Sequence, residues 1–246
     1  MGHPVLDVAG RTALVTGSSR GIGRALAQGL AEAGCDVVLH GRDAATAAGA
    51  AAELGARSVA FDVTDPEAVE RGAAEVGPLD ILVNNAGIQH REPLLDLAAA
   101  DWQRVLDTNL TSAFLVSRAF ARGMVERGSG KIVNVASLQA ALARPGIAAY
   151  AAAKGGLKML TQSMCAEWGP AGVQANAIAP GYFATDLTRA LVDDERFSEW
   201  VRGRTPAGRW GQVDELVGVL LFLASPASDY VCGQMLYVDG GMSAVV

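Results

Sequence analysis

Gly17-Ser-Ser-Arg-Gly-Ile-Gly23 follows directly on the run Arg11-Thr-Ala-Leu-Val-Thr16 near the start of the chain. The run is short, mostly apolar and rich in β-branched side chains, which predicts a buried strand, and residues 24–33 have the composition of a helix. Glycines in a strand–turn–helix unit let a pyrophosphate approach the backbone, and the helix N-terminus favours negative charge. The spacing is Gly-x-x-x-Gly-x-Gly, so an ordinary strand–helix turn is the alternative to the phosphate site that we predict.

The second predicted strand, Cys35-Asp-Val-Val-Leu-His40, completes a βαβ unit. The position after such a strand faces the adenosine ribose, where an acid favours NAD and a base accommodates the 2′-phosphate of NADP. Arg42 follows this strand and Arg20 lies in the glycine turn, so both guanidiniums can meet a phosphate. We predict NADP as the cofactor, with NAD possible. The alternative is that Arg42 is a solvated residue and that Asp43 caps the next helix.

Strands and helices alternate along the rest of the chain, which predicts one α/β domain over residues 1–246. We expect a Rossmann fold, with a doubly wound parallel sheet of seven strands and helices on both faces. The five further strands are predicted at 57–61, 79–83, 131–136, 173–178 and 235–238, and the further helices at 43–54, 101–127, 148–160 and 211–223.

Small and polar residues stand at the predicted strand ends, where ligands collect in a doubly wound sheet. Asp62 can either bind the adenine amino group or cap the helix that starts at Pro66, and both options stay open. Asn109 is an amide in the apolar middle of a predicted helix, where it needs hydrogen-bond partners. The other residues of this kind are Val63, Asn84-Asn-Ala-Gly87, Ser137 and Ala179-Pro-Gly181.

Tyr150-Ala-Ala-Ala-Lys154 places a phenol and an ammonium four residues apart in a predicted helix. Residues with this spacing share one helix face. A nearby cation lowers the pKa of a phenol and so suits it for proton transfer. Taken alone, this spacing is also common on plain surface helices.

The composition excludes several classes of function. The 246 residues have a net charge of −6, which argues against a nucleic-acid surface. No apolar run is as long as a membrane span, and the N-terminus lacks the pattern of a signal peptide. Three scattered cysteines are typical of a reducing cytoplasm, and His3, His40 and His90 form no recognisable ligand motif, so we expect no metal site.

Together these motifs resemble the short-chain dehydrogenase/reductase family, over essentially the whole chain. The resemblance implies a Rossmann fold of seven parallel strands, a nicotinamide cofactor, a small-molecule substrate and a homotetramer. The matching signatures are Thr16-Gly17-x-x-x-Gly21-x-Gly23, Asp62, Asn84-Asn-Ala-Gly87, Asn109, Ser137, Tyr150-x-x-x-Lys154, Pro180-Gly181 with Thr185, and Asp239-Gly-Gly241.

The resemblance also implies the roles of individual residues. Tyr150 would be the general acid/base, and Lys154 would lower its pKa and bind the nicotinamide ribose. Ser137 would hold the substrate oxygen, and Asn109 would hold a water that links Lys154 to solvent. The implied cofactor-binding residues are Gly17, Ser19, Arg20, Gly21, Ile22, Gly23, Arg42, Asp62, Val63, Asn84, Ala86, Gly87, Tyr150, Lys154, Pro180, Gly181 and Thr185.

A narrower resemblance, to the gluconate 5-dehydrogenase subfamily, implies interconversion of D-gluconate and 5-keto-D-gluconate. It rests on residues 84–91, 181–185, 204–211 and 238–242. A gluconate carboxylate favours a bidentate cation. The candidates are Arg91, Arg144 and Arg204. We favour Arg91; the alternative interpretation is that Arg91 is a solvated loop residue. Gln139 is expected to meet sugar hydroxyls, and segment 182–210 to close over the substrate as a lid.

Two kinds of alternative function stay open. The same catalytic residues serve in acyl-carrier-protein ketoreductases and in other sugar or polyol dehydrogenases. A non-catalytic NADP-binding regulator would instead be expected to lose the proton-handling residues, and these are all present in the chain.

Overall fold

The computed structural model describes residues 4–185 and 188–246, and its seven strands form one sheet in the order β3-β2-β1-β4-β5-β6-β7. All neighbouring strands run parallel. Each strand overlaps a predicted one, so the predicted sheet is confirmed. The strands are β1 (Thr12–Val15), β2 (Asp36–Gly41), β3 (Arg57–Ala60), β4 (Ile81–Asn84), β5 (Gly130–Val135), β6 (Val173–Pro180) and β7 (Met235–Val238).

The helices connect the strands, and the helix predicted over 148–160 extends to Trp168. The predicted helix 101–127 contains a π-helical turn at Asp107–Thr111, and the helix predicted from residue 211 begins later, after a 3₁₀ turn at Val213–Leu216. No helix in the described parts of the chain is long and apolar enough to cross a membrane. The α-helices are α1 (Gly21–Glu32), α2 (Ala44–Ala52), α3 (Pro66–Val76), α4 (Ala99–Leu106), α5 (Ser112–Arg127), α6 (Ala148–Trp168), α7 (Arg189–Val192), α8 (Glu195–Arg204) and α9 (Val217–Ala224).

Side chains of the central strands alternate between two layers of helices. Ala13 and Val15 of β1 belong to the same apolar core as Leu26 of α1. Leu14 belongs to a second core, on the other face, together with Phe120 of α5. Because successive side chains of a strand point to opposite faces, the two cores lie on opposite sides of the sheet. The expected doubly wound arrangement is therefore confirmed.

The middle of the sheet, between β1 and β4, positions the candidate site. From these two neighbouring strands the order runs outward to β3 on one side and to β7 on the other. Connections that diverge in this way leave a crevice at the carboxyl ends of the strands. The glycine turn follows β1, and residues 84–87 follow β4, so the predicted cofactor residues meet at this crevice.

Segment 182–210 contains α7 and α8, and an aromatic cluster holds its two ends together. The Tyr182 ring lies edge-on to Phe197 at 5.6 Å and to Trp200 and Trp210 at 5.7 Å, measured between ring centroids. Such contacts stabilise beyond the burial of the rings themselves. The described residues 182–185 and 188–210 thus form a packed unit beside β6, and closure over a substrate stays a prediction.

Gly172, at the start of β6, gives a test of the fold. It has a φ of +76°, and an added Cβ would overlap the carbonyl oxygen of Gly128. We expect Gly172→Ala to lower the free energy of unfolding by about 3 kcal/mol, because left-handed strain and backbone overlap add. Gly55→Ala is the matched control, since Gly55 has a φ of +62° with nothing within 4 Å of its Cβ position, and should lose only about 1 kcal/mol. Both variants are unfolded in urea at the same protein concentration. Equal losses of stability in Gly172→Ala and Gly55→Ala would show that backbone overlap at Gly172 does not matter.

Candidate active site

The glycine turn leaves the N-terminus of α1 open to an anion. Helix α1 begins at Gly21, and the extended residue before it, Arg20, makes no side-chain capping bond. An added Cβ at Gly21 would meet nothing within 4 Å, whereas one at Gly23 would overlap Asn85 Nδ2 and the Gly17 oxygen. Open N–H groups and free space beside the turn are what a pyrophosphate requires. The residues present therefore fit the phosphate part of a dinucleotide.

Thr16 and Asn85 hold the glycine turn against the end of β4. The Thr16 hydroxyl accepts the backbone N–H groups of Asn85 at 2.9 Å and Ala86 at 3.0 Å. Asn85 Nδ2 donates in return to the oxygens of Thr16 and Gly17, both at 3.0 Å. Sequence analysis included both residues in family signatures but assigned them no role. No local pattern reveals this contact, because Asn85 and the glycine turn are distant in sequence.

His40 fixes the turn from the other side and was not predicted as a site residue. Its Nδ1 accepts the Gly17 N–H at 3.1 Å, and its Nε2 donates to the Phe61 oxygen at 3.0 Å. Since Nδ1 faces a donor, we assign the proton to Nε2. Its backbone N–H donates to the Ser18 hydroxyl at 2.9 Å. Burial lowers the pKa of His40 to about 4, so the ring is neutral and its acceptor is retained near neutral pH.

The residues predicted for the adenosine end lie at the ends of β2 and β3. Arg20 and Arg42 are exposed, and neither forms an ion pair with any residue that the structure describes. Asp62 accepts the N–H and hydroxyl of Thr64 at 2.8 and 2.7 Å. These hydrogen bonds are the main cause that lowers the pKa of Asp62, and Arg42 adds to them. A carboxylate and two guanidiniums free of ion pairs thus surround the expected adenosine position.

The helix caps settle two of the alternatives. Asp65, not Asp62, caps α3, accepting the N–H groups of Glu67 and Ala68, so capping of that helix by Asp62 is wrong. Asp43 caps α2, as the alternative interpretation of that position predicted. The capping role of Asp43 does not involve Arg42, and Arg42 stays available to a phosphate.

Asn84 directs its side chain into the protein interior. Its Nδ2 donates to Ser117 Oγ and to Asn134 Oδ1, both at 2.8 Å. Asn134 Nδ2 donates in turn to Thr161 Oγ at 2.8 Å. This buried network ties β4, β5, α5 and α6 together. The Oδ1 of Asn84 is buried without a hydrogen-bond partner, so the network uses only the amide nitrogen of this side chain.

The π-helical turn between α4 and α5 presents Asn109 to the site. Asn109 Nδ2 donates to the oxygens of Ile88 and Val105, both at 2.9 Å. Its Oδ1 is buried without a hydrogen-bond partner, and a Cβ added at Gly87 would lie only 2.6 Å from this oxygen. A buried acceptor without a donor is costly, and π-turns occur often at functional sites. This free oxygen fits the predicted water-binding role of Asn109.

Helix α6 brings Tyr150 and Lys154 to the end of β5. Lys154 is buried, and its Nζ donates to the Val135 oxygen at 2.8 Å and lies 5.5 Å from the centroid of the Tyr150 ring. Ser137 follows β5, and its Oγ accepts the Gln139 N–H at 3.2 Å. The structure therefore brings together three of the residues predicted from different parts of the sequence.

The electrostatics of this pair differ from the expectation. Burial raises the pKa of Tyr150, and interaction with Ser137 opposes that rise. Burial is therefore the dominant influence on the phenol, and the Lys154 ammonium donates to the Val135 oxygen rather than to the phenolic oxygen. Burial also lowers the pKa of Lys154, to about 8. Both groups are thus shifted toward their neutral forms, and additional charge is needed to favour the phenolate.

The predicted substrate residues fall on different surfaces. Gln139 lies beside Ser137, and its Oε1 is buried without a partner, which suits it to accept from a hydroxyl. Arg91 follows residues 84–87 and donates to Gln89 Oε1 at 2.9 Å. Arg204 instead donates to the Val245 oxygen at 3.0 Å, so it holds the C-terminal segment.

The remaining predicted cofactor residues border the same crevice. Pro180 ends β6, and an added Cβ at Gly181 would lie 2.7 Å from Asp239, so glycine is required there by close packing. A cavity of about 450 Å³ between α1 and the lid is lined by Gly21 and Thr185 among others. Two residues that sequence analysis assigned to the cofactor therefore share one cavity. Ser19 and Ile22 belong to the glycine turn, and Val63 is buried next to Asp62.

His90 has neighbours that the sequence did not reveal. One side-chain nitrogen or oxygen from each of His90, Glu92 and Asp101 could ligate a metal ion, and these atoms lie within 4.8 Å of one another. His90 pairs with Glu92 at 2.9 Å, and Asp101 pairs with Arg104 at 2.6 Å, so these carboxylates already have partners. His3 lies outside the described residues.

Comparison with known proteins identifies the family. A family model described as enoyl-(acyl carrier protein) reductase matches residues 17–243. The chain belongs to the short-chain dehydrogenase/reductase family of oxidoreductases.

The relatives include enzymes of gluconate metabolism. The chain is 53% identical to gluconate 5-dehydrogenase of Gluconobacter oxydans, over 99% of both proteins. It is 46% identical to 5-keto-D-gluconate 5-reductase of Escherichia coli, over 99% of this chain and 100% of the relative. A crystal structure of a gluconate 5-dehydrogenase from Burkholderia cenocepacia, in complex with NADP and tartrate, superposes with a TM-score of 0.97 at 52% identity, covering 99% of each chain.

The position of His40 predicts how stability changes with pH. The folded pKa of about 4 lies below the ordinary value of 6.5, so the unfolded chain binds the proton first as the pH falls. The contribution of His40 to the free energy of unfolding is therefore fully present above pH 6.5 and is lost as the pH falls from 6.5 to 4. Between pH 7 and 5 we expect a loss of about 2 kcal/mol from this residue.

His40→Gln keeps a donor and an acceptor but does not titrate, so this variant should lack that part of the pH dependence. The measurement is the free energy of unfolding of both proteins at pH 7 and pH 5. Equal losses in the two proteins would show that His40 does not contribute.

Proposed function

We propose that this protein is an NADP-dependent oxidoreductase that interconverts D-gluconate and 5-keto-D-gluconate. The observation that carries the proposal is the group formed by Ser137, Tyr150 and Lys154 at the end of β5. This group opens on the crevice that is bordered by the glycine turn. The full-length similarity to gluconate 5-dehydrogenases supports the choice of substrate.

The protein's own residues handle the proton and orient the substrate. Bound NADP accepts or supplies the hydride. In reduction the Tyr150 phenol donates its proton to the ketone oxygen and becomes the phenolate, and in oxidation the phenolate takes the hydroxyl proton and becomes the phenol. Ser137 holds that oxygen, and Gln139 accepts from a neighbouring hydroxyl. Lys154, with a pKa of about 8, is close enough to neutrality to pass a proton onward.

The proton path continues from Lys154 toward Asn109. The unpartnered Oδ1 of Asn109 accepts a hydrogen bond from a water, which joins Lys154 to solvent. For Tyr150 to form the phenolate, a positive charge is needed beside it, which a bound oxidised nicotinamide would supply. This charge is needed because burial alone raises the pKa of Tyr150.

The preference for NADP rests on Arg20 and Arg42. These exposed guanidiniums flank the adenosine position without ion-pair partners in the described chain, and a 2′-phosphate would bind both. The neutral His40 accepts the Gly17 N–H and keeps the turn in place.

We also propose that the enzyme is a homotetramer of the cytoplasm. Exposed apolar side chains such as Leu94 at 65%, Leu95 at 100% and Met159 at 60% exposure support self-association. The free thiols of Cys35, Cys165 and Cys232 are compatible with a reducing compartment. Analytical ultracentrifugation tests the tetramer, and a purely monomeric distribution would contradict it.

The function is tested with purified enzyme against D-gluconate, other sugar acids, polyols and 3-oxoacyl thioesters, each with NADP⁺ or NADPH and with NAD⁺ or NADH. We expect the highest kcat/KM for gluconate with NADP⁺ or for 5-ketogluconate with NADPH. Activity with thioesters alone would replace this proposal with a carrier-protein ketoreductase.

Tyr150→Phe removes only the phenolic hydroxyl. We expect kcat to fall by at least about 10²–10⁴-fold, because proton transfer is lost, while NADPH binding measured by its fluorescence changes little. A variant that retains most of its turnover would exclude Tyr150 as the acid/base.

Arg42→Ala should raise KM for NADP⁺ roughly 10-fold and leave KM for NAD⁺ nearly unchanged, since only NADP carries the 2′-phosphate. Arg71→Ala is the control, because Arg71 is exposed on α3 and pairs with Glu67. Parallel changes with both cofactors would argue against a phosphate contact at Arg42.

A further inference from the structure

Arg144 lies next to Arg91 because two loops are joined there. Arg144 belongs to the loop that precedes α6, and Arg91 belongs to the segment that follows β4. The Glu92 N–H donates to the Gly146 oxygen at 3.0 Å. This bond connects the residue after Arg91 to a residue two positions after Arg144. The two arginines are 53 residues apart in sequence (144 − 91), and the fold brings them to one rim of the site.

The two guanidiniums face the site without neutralising carboxylates. In the described chain neither forms an ion pair, since Glu92 pairs with His90 and Asp101 with Arg104. Among residues 4–185 and 188–246, Arg91 donates only to the neutral amide of Gln89. Burial, and then the charge of Arg144, lowers the pKa of Arg91. Like charges held close together without a counter-charge are destabilising unless an anion binds between them.

Arg144 is held in place by the lid. Its guanidinium carbon lies 5.0 Å from the centroid of the Phe197 ring. Phe197 is on α8 and contacts Tyr182 at 5.6 Å and Trp200 at 5.4 Å. A cation over an aromatic face is attracted to it. Stacking leaves the edge of the guanidinium, which carries its donors, free to bind a carboxylate.

We propose that Arg144 is the second cation of the substrate-carboxylate site, beside Arg91, and that its contact with Phe197 couples carboxylate binding to the position of the lid. The inference rests on the proposed function, and it concerns how the sugar acid is selected. The site would then discriminate between an aldonate and the corresponding neutral alditol through two arginines on different loops. Arg144 is a specificity residue and does not touch the reacting hydroxyl.

The test compares D-gluconate with D-glucitol, which carries CH₂OH in place of the carboxylate. In Arg144→Ala we expect KM for gluconate to rise about 10- to 100-fold with kcat within about 3-fold of wild type. KM for glucitol, or its inhibition constant if turnover is too slow, should change by less than about 2-fold. Arg144→Lys keeps the charge without the planar fork, so its KM for gluconate should lie between those of wild type and Arg144→Ala.

The controls separate charge from general disturbance. Arg91→Ala should show the same selective loss. Arg196→Ala removes an exposed arginine next to Phe197 and should leave both substrates unaffected. If Arg144→Ala weakens gluconate and glucitol equally, Arg144 only shapes its loop and the inference is wrong. Unchanged kinetics for both substrates would also overturn it.

A double-mutant cycle tests the coupling to the lid. Phe197→Leu should raise KM for gluconate roughly 3-fold through loss of the cation–π contact, with little further rise when it is combined with Arg144→Ala. If the fold-increase in KM of the double variant equals the product of the two single increases, Arg144 and Phe197 act independently and the coupling is excluded. Calorimetric titration of the NADPH-loaded enzyme with gluconate gives the same comparison without turnover.

The proposed function and this inference fail in different ways. If wild-type enzyme neither oxidises nor binds gluconate, the proposed function is wrong. If wild type does so and Arg144→Ala behaves identically, only the role of Arg144 is wrong.

Discussion

The hydrogen bonds that fix the turn after β1 control the rest of the site. Thr16 and Asn85 bind the turn to the end of β4, and His40 binds it to the ends of β2 and β3. The Cβ of any residue other than glycine at position 23 would overlap this clamp. The carboxyl ends of four neighbouring strands are therefore set in one geometry before a ligand arrives. Preorganisation of this kind reduces the free energy that ligand binding must spend on ordering the turn.

Buried polar groups serve two separate purposes at the strand ends. The amide nitrogens of Asn84 and Asn134 donate to Asn134 and Thr161 and connect the sheet to its helices. Asn109 and Gln139 each retain a buried oxygen without a partner. The first kind of group stabilises the scaffold, because hydrogen bonds in a buried network rigidify the elements that they join. The second kind costs free energy in the unliganded protein and regains it when a water or a hydroxyl binds.

Burial shifts Tyr150 and Lys154 toward a neutral pair, with the phenol protonated and the ammonium near its midpoint at pH 8. Low local polarity explains both directions, since each charged form is desolvated. The same low polarity strengthens any charge that enters the site later. A cationic cofactor and an anionic substrate would thus act on the acid/base more strongly than they would in water. In the proposed carboxylate site, the two arginines at the rim would hold the anion at a distance from the reacting hydroxyl.

The sequence by itself determined the order of strands and helices, the phosphate turn and the spacing of Tyr150 and Lys154, because these depend on local periodicity and on fixed offsets along the chain. It also restricted the carboxylate contact to three arginines, Arg91, Arg144 and Arg204. Only the tertiary structure separated Arg204, which bonds the C-terminal segment, from Arg91 and Arg144. It likewise decided the clamp role of His40, the π-turn at Asn109 and the protonation of Tyr150. Each of these depends on segments distant in sequence that meet in space, and on the burial that this meeting creates, which no local pattern records.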